Sequence, residues 1–139
     1  MPTFALIMLA ESLLGFVIAA ALFLSAYKKI EGNNSSKARL IIFVGIVFAN
    51  VIYAIIAALN IYMRSFAVDV AMTMKIPCYV LGLITLICCV IQGFIIKNEI
   101  EKGSFGEESL KMLTGKLAVP EILSIAGLLY FFIKNQIPL

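Results

Sequence analysis

Long apolar stretches alternate with shorter polar links along the chain. The four apolar stretches lie at 4–27, 40–63, 76–96 and 117–134. The three polar links between them lie at 28–39, 64–75 and 97–116. An α-helix of about 20 residues is roughly 30 Å long, which matches the hydrocarbon core of a bilayer. The pattern therefore predicts an all-α membrane protein with four transmembrane helices.

The composition supports this fold class and narrows the chemistry. Hydrophobic residues make up 63% of the chain and charged residues only 14%, a balance typical of multi-pass membrane proteins. Histidine is absent, which excludes histidine metal sites and histidine-dependent triads. The net charge is +3 without a run of basic residues, so no nucleic-acid partner is predicted. The three cysteines, which lack Cys-x-x-Cys spacing, are interpreted as small packing residues.

Basic residues are concentrated in the first and third links. These eight residues are Lys28, Lys29, Lys37, Arg39, Lys97, Lys102, Lys111 and Lys116. The middle link holds only Arg64 and Lys75. Cytoplasmic loops of membrane proteins carry an excess of Lys and Arg. We therefore expect a multi-pass protein of the cell membrane, with links 28–39 and 97–116 in the cytoplasm and both termini outside.

A weak internal repeat relates the two halves of the chain. Ile30-Glu31-Gly32 in the first link resembles Ile100-Glu101-Lys102-Gly103 in the third. The separation in sequence between these two segments also places Asn50 opposite Glu121. Both are lone polar residues in apolar stretches. Only the second of these residues can ionise. The repeat predicts two helical hairpins of related design, 1–63 and 64–139.

Glu121 is the residue that most strongly indicates a function. It lies in the apolar stretch bounded by Lys116 and Lys134. An ionised carboxylate in hydrocarbon costs roughly 2.5–3.5 kcal/mol even on insertion-based scales. The group must therefore be neutralised by a proton, a metal ion or a partner. This requirement predicts ion handling inside the membrane.

Gln92 is expected at a similar depth to Glu121. Gln92 lies five residues before Lys97, Glu121 lies five residues after Lys116, and the two helices run antiparallel. The Gln92 amide is therefore expected either to donate to the carboxylate or to share an ion with it. The alternative is that Gln92 joins neighbouring helices by hydrogen bonds and binds no ion.

Three further residues complete the predicted constellation. Pro120 removes the N–H that would bond the carbonyl of Lys116, so the helix is expected to bend just before Glu121. Ser124 lies three residues after Glu121 and shares its helix face. Tyr53 shares a face with Asn50, and either donates its hydroxyl to the carboxylate or packs as an aromatic ring.

The second hairpin resembles the rotor proteolipid of V-type ATPases, the K or c subunit in its two-hairpin form. The resemblance is carried by Val119-Pro120-Glu121-Ile122-Leu123-Ser124-Ile125-Ala126-Gly127-Leu128, with its Pro-Glu pair and a glycine six residues after the glutamate. Gln92 precedes Glu121 by 29 residues, as in that hairpin. The segment Ala49-Asn50-Val51-Ile52-Tyr53 is similar, more weakly, to the Thr-Gln-x-x-Tyr segment of sodium-binding members.

This resemblance implies a ring of identical subunits in the lipid bilayer, facing a membrane stator subunit and, on the cytoplasmic side, the central-stalk subunits. Glu121 would bind and release one Na⁺ or H⁺ as the ring turns, in a non-catalytic subunit of an ATP-hydrolysing or ATP-synthesising complex. No bound cofactor is implied beyond the transported ion. For sodium, the implied ligands are Glu121, Gln92 and Asn50, with Tyr53 in support. Ala49 stands where a threonine hydroxyl is expected, which weakens the sodium assignment.

Two other functions remain open on the sequence. Leu9-Ala10-Glu11-Ser12-Leu13-Leu14-Gly15 resembles the carboxylate motif of small four-helix multidrug antiporters. In such a protein Glu11, rather than Glu121, would exchange protons for cationic drugs. An accessory membrane scaffold without an ion site is the third hypothesis. Carbodiimide labelling distinguishes the first two, since the rotor predicts reaction at Glu121 and the antiporter predicts reaction at Glu11.

Overall fold

Four long helices account for most of the protein. The computed structural model describes residues 3–30, 32, 34–64, 74–102 and 107–136, with no side-chain description at 64, 107–110 and 135–136. The elements are α1 (Thr3–Ser25), a short 3-10 helix (Tyr27–Ile30), α2 (Asn34–Arg64), α3 (Lys75–Glu101) and α4 (Glu107–Gln136). All four long helices are long and apolar enough to cross a membrane. The predicted fold class is therefore confirmed.

The helices extend further into the polar links than the hydropathy pattern predicts. Asn34, Ser35 and Ser36 form the first turn of α2 instead of a loop. Helix α3 continues to Glu101 and α4 begins at Glu107, so most of the link 97–116 is helical. The Lys and Glu residues there have good helix propensity, and they allow a helix to continue past the hydrocarbon. Glu31 and Gly103 of the repeat lie outside the described residues, as do 65–73 of the middle link.

Helix α3 occupies the centre of the bundle and packs against each of the other three long helices. Its most extensive partner is α1, which belongs to the other predicted hairpin. A Cβ atom added at Gly15 would lie 2.6 Å from the Leu86 Cα, and one added at Gly93 would lie 2.7 Å from the Ala19 Cα. Glycine is therefore required for the two backbones to approach this closely, as is common between membrane helices.

Two apolar clusters fill the interior at opposite ends of the bundle. One includes Phe23, Phe43 and Ile96, and the other includes Met8, Leu81 and Phe131. The three cysteines are buried and form no disulfide, in agreement with their interpretation as packing residues. Many large apolar side chains face outward, as expected for lipid-facing surfaces; examples are Val17, Ile41, Met63, Val119 and Ile122.

The close approach of α1 and α3 yields the first testable prediction. Gly93→Ala is expected to lower the free energy of unfolding by about 1–3 kcal/mol, the usual range for overpacking an interior. The reason is that the added methyl group collides with the α1 backbone at Ala19. Thermal unfolding of the detergent-solubilised chain measures this effect.

The matched control is Gly45→Ala, also within a helix. A Cβ added at Gly45 meets nothing within 4 Å, and alanine has the better helix propensity by about 1 kcal/mol. The Gly45 variant is expected to unfold at the same or a higher temperature. An equal loss of stability in the two variants would contradict the requirement for glycine between α1 and α3.

Candidate functional site

Three completely buried polar side chains meet where α2, α3 and α4 pack together. Asn50 donates from Nδ2 to Gln92 Oε1 at 2.8 Å and to the Val47 carbonyl at 3.0 Å. Ser124 Oγ donates to Asn50 Oδ1 at 2.5 Å. We refer to Asn50, Gln92 and Ser124 as the polar network. It joins one residue from each of three helices inside an apolar bundle.

The same network reaches the backbone of α4 next to its proline. Gln92 Nε2 donates to the Leu117 carbonyl at 3.0 Å. That carbonyl is adjacent to the Lys116 carbonyl, which Pro120 deprives of its helical N–H partner. Helix α4 nevertheless continues through Pro120 as one helix. Gln92 therefore supplies an interhelical hydrogen bond at the point where the helix's own bonding is interrupted.

Glu121 lies beside the polar network but is not bonded to it. Both carboxylate oxygens are buried and, within the described part of the chain, neither has a hydrogen-bond partner. Gln92 and Tyr53 are near enough to interact electrostatically with the carboxylate. Neither residue forms a hydrogen bond of ordinary geometry with Glu121. Gln92 joins α3 to α2 and α4 through Asn50 and the Leu117 carbonyl, which is the alternative that the sequence left open for it.

On its other side, Glu121 faces an apolar cleft between α2 and α4. The cleft has a volume of about 330 Å³ and opens to the outer surface of the bundle. Its lining consists of Ile46, Thr114, Ala118, Glu121, Ile122 and Ile125. The carboxylate therefore stands between the interior network and the outer surface. An ion exchanging on Glu121 would reach it through this cleft without crossing the core.

Two backbone acceptors and two thiols also lie at the site, and the sequence did not indicate them. The carbonyls of Val47 and Leu117 accept side-chain hydrogen bonds. Cys89 Sγ lies 3.7 Å from the Val47 carbonyl, and Cys88 interacts with Ser124. A signal existed for Val47, because an Asn side chain often bonds the carbonyl three residues before it. No comparable signal marks Leu117, since its donor comes from another helix.

The atoms at the site that could coordinate an ion are mostly oxygens, which suit a hard cation or a proton. In the described ranges, no group of three or more His, Cys, Asp or Glu side chains is placed to hold a metal ion. Sodium ligands would therefore have to come from Glu121 together with the amide oxygens of Asn50 and Gln92. Each amide oxygen accepts one hydrogen bond within the network and keeps a second lone pair. The residues fit a monovalent cation on these grounds.

Glu11 lies at a different helix interface. Its carboxylate packs against Gly82 of α3, where an added Cβ would lie 2.8 Å from Glu11 Oε1. Glu11 Oε1 is buried and has no hydrogen-bond partner among the described residues. Its neighbour Ser12 bonds the Leu9 carbonyl of the same helix at 2.9 Å. Glu11 is thus a second intramembrane carboxylate, set between α1 and α3, whereas the polar network joins α2, α3 and α4.

Comparison of the chain with protein-family models, curated proteins and solved structures finds no match. The fold and the site therefore define a multi-pass membrane protein with two intramembrane carboxylates, one of which adjoins a buried polar network.

The polar network yields the second prediction. Asn50→Leu is expected to lower the free energy of unfolding by about 1–3 kcal/mol, because it removes three hydrogen bonds and deprives Gln92 Oε1 and the Ser124 hydroxyl of their Asn50 partner in an apolar interior. Ser124→Ala is expected to have a smaller effect, since it removes only one. Unfolding titrations in a denaturing detergent measure the difference.

Ser25→Ala is the control for loss of a serine hydroxyl. Ser25 is exposed and bonds only the Leu22 carbonyl of its own helix, so its replacement is expected to change stability by less than about 0.5 kcal/mol. If Asn50→Leu is as mild as Ser25→Ala, the network contributes nothing to the stability of the bundle.

Proposed function

We propose that this chain is an ion-translocating rotor-ring subunit of a V-type ATPase. In this proposal Glu121 binds one Na⁺ or H⁺ and releases it as the ring turns against a stator. The observation that carries the proposal is the position of Glu121. It is an intramembrane carboxylate without a hydrogen-bond partner among the described residues, set between a buried polar network and a cleft that opens to the outer surface.

The chemistry of a rotor site explains why a carboxylate without a hydrogen bond is retained here. An ion carrier must be neutral while it faces lipid, which a bound proton or cation achieves. It must also take the ion up again, which permanent hydrogen bonds to the ionised carboxylate would oppose. The Glu121 oxygens have a polar neighbour on one side and an open cleft on the other, so both loading and release are possible without rearranging the helices.

The remaining parts of the proposal follow from the resemblance in sequence. Identical subunits would form a ring within the bilayer, and a membrane stator subunit would deliver and remove the ion at Glu121. Central-stalk subunits would bind the connecting segments on the cytoplasmic side. The single polar residue of the first hairpin at the corresponding position, Asn50, cannot ionise, so each chain would carry one ion.

The identity of the ion depends on the oxygens around Glu121. Ala49 supplies no hydroxyl from α2, but Ser124 supplies one from α4 within the same network. Asn50 and Gln92 provide two amide oxygens. This donor set favours sodium slightly over a proton, which would need only the carboxylate in an apolar setting.

The alternative function, a proton-coupled antiporter that uses Glu11, has one observation in its favour. Glu11 Oε1 is also buried and unpaired among the described residues. Unlike Glu121, the Glu11 carboxylate does not adjoin the polar network and instead borders Gly82. The two carboxylates therefore offer a direct experimental choice between the two functions.

The third prediction tests the role of Glu121. Glu121→Gln is expected to abolish ion-coupled turnover while leaving assembly intact, because the amide has nearly the same shape but cannot change its charge. Ion transport by the reconstituted ring-containing complex is the measurement.

Glu11→Gln is the matched control, since it makes the same chemical change at the other intramembrane carboxylate. Its effect on transport is expected to be much smaller. Transport that survives Glu121→Gln and is lost in Glu11→Gln would replace the rotor proposal by the antiporter.

The fourth prediction concerns sodium. A bound cation requires the ionised carboxylate, whereas a hydrophobic carbodiimide attacks the protonated form. Millimolar sodium is therefore expected to slow the labelling of Glu121, and the protection should increase at higher pH as protons leave the competition. Gln92→Leu is expected to weaken this protection because an oxygen ligand is lost. Peptide mapping of the labelled chain measures the rate.

Potassium at equal ionic strength is the control for charge screening. If labelling responds to pH but not to sodium, the site binds protons, and Gln92 acts only as a hydrogen-bonding neighbour.

A further inference from the structure

A third carboxylate, Glu99, is buried near the end of the bundle where α3 and α4 connect. Its side chain is only 2% exposed, yet its Oε1 lies 2.9 Å from Lys116 Nζ of α4. Lys102 approaches the same oxygen at 4.0 Å from a largely exposed position. Removing one partner of such a pair is costly, because the other charge is then left uncompensated at a buried position.

The Glu99–Lys116 pair and the Gln92 hydrogen bond are bridges from α3 to consecutive residues of α4. Gln92 bonds the Leu117 carbonyl, and Glu99 bonds the Lys116 side chain. Glu99 follows Gln92 by two helical turns on the same face, about 10 Å further along α3. The Lys116 side chain therefore extends along α4 toward the end of the bundle, as long basic side chains do near a membrane interface.

Both bridges hold α4 just before Pro120, and Glu121 follows directly after it. Because Pro120 removes a hydrogen bond within the helix, this is the place where α4 bends most easily. The position of the Glu121 carboxylate relative to the polar network then depends on how firmly the preceding turn is held. Of the two bridges, only the ion pair is formed outside the polar network.

We propose that the Glu99–Lys116 ion pair positions Glu121, by fixing the first half of α4 on α3 so that the carboxyl oxygens stay shielded from water between the polar network and the cleft. Glu99 and Lys116 are positioning residues that never contact the transported ion. This inference rests on the proposed role of Glu121 as the ion carrier.

The experiment measures the rate of carbodiimide labelling of Glu121 in the full chain, in membranes. Lys116→Met removes the charge and keeps much of the side-chain length. Release of α4 moves the carboxyl away from its place beside the cleft, through which the hydrophobic reagent reaches it. Labelling is expected to slow by about threefold to tenfold, a modest part of the loss that a displacement of a reacting group by about 1 Å can cause.

Two further variants separate positioning from general damage. Lys116→Arg keeps the charge and is expected to label at nearly the original rate. The exchanged pair, Glu99→Lys with Lys116→Glu, is expected to restore most of the rate lost in either single variant. If the Lys116→Met chain does not insert into membranes, Glu99→Gln is the deciding variant, because it removes the charge of the carboxylate while keeping its shape. Labelling of Glu121 slowed by about twofold or more in that variant supports the proposal.

The matched control is the ion pair Lys97–Glu101, which joins residues of α3 at 4.0 Å with side chains 29% and 43% exposed. Lys97→Met is expected to leave the labelling rate unchanged. Equal rates in Lys116→Met and Lys97→Met, or an equally slow Lys116→Arg, would overturn the positioning role. If Glu121 of the unaltered chain is not labelled at all, the proposed function itself fails, so the two failures are distinguishable.

Discussion

In hydrocarbon, a polar atom without a partner costs several kcal/mol, and this constraint determines where the polar side chains of this protein lie. Asn50, Gln92 and Ser124 satisfy one another and two backbone carbonyls. They are polar residues in the interior of a bundle that is otherwise mainly apolar. Glu121 adjoins them without sharing in their hydrogen bonds. The difference between these satisfied neighbours and the Glu121 carboxylate, which has no hydrogen-bond partner among the described residues, separates a structural polar cluster from a candidate ion site.

The network depends in turn on how closely α3 can approach its neighbours. Gly15 and Gly93 allow the α1 and α3 backbones to meet, which places α3 at the centre of the bundle. From that position Gln92 reaches both Asn50 on α2 and the Leu117 carbonyl on α4. The site is therefore a consequence of packing on the opposite side of α3, and its geometry is coupled to residues that do not contact it.

The sequence was sufficient to predict the four helices, because apolar stretches of bilayer length have few other interpretations. It also indicated that Asn50, Gln92 and Ser124 belong near Glu121, since each is polar in an apolar stretch. The sequence alone could not predict the actual hydrogen-bond partners. They depend on the rotation of each helix about its axis, and a helix that is apolar on nearly all sides carries no stripe that fixes this rotation. For the same reason, the sequence left open whether Gln92 donates to Glu121, shares an ion with it or joins neighbouring helices; in the structure it bonds Asn50 and the Leu117 carbonyl.

The pairing between Glu99 and Lys116 was hidden for a related reason. Both residues lie in what reads as a polar link, where charges are normally solvated, but α3 and α4 continue as helices through most of that link. Because α3 remains helical there, the Glu99 carboxylate is buried, whereas in a loop it would be solvated.

The self-sufficiency of the polar network has a kinetic consequence. In the proposed function, its three side chains would keep their hydrogen bonds whether or not Glu121 carries an ion, so loading and unloading would require little more than a rotation of one carboxylate. A site that had to break and rebuild interior hydrogen bonds at each step would face a large reorganisation barrier in a low-dielectric setting. Under this proposal the polar surroundings are already in place, and the movement of a single side chain would set the rate of exchange.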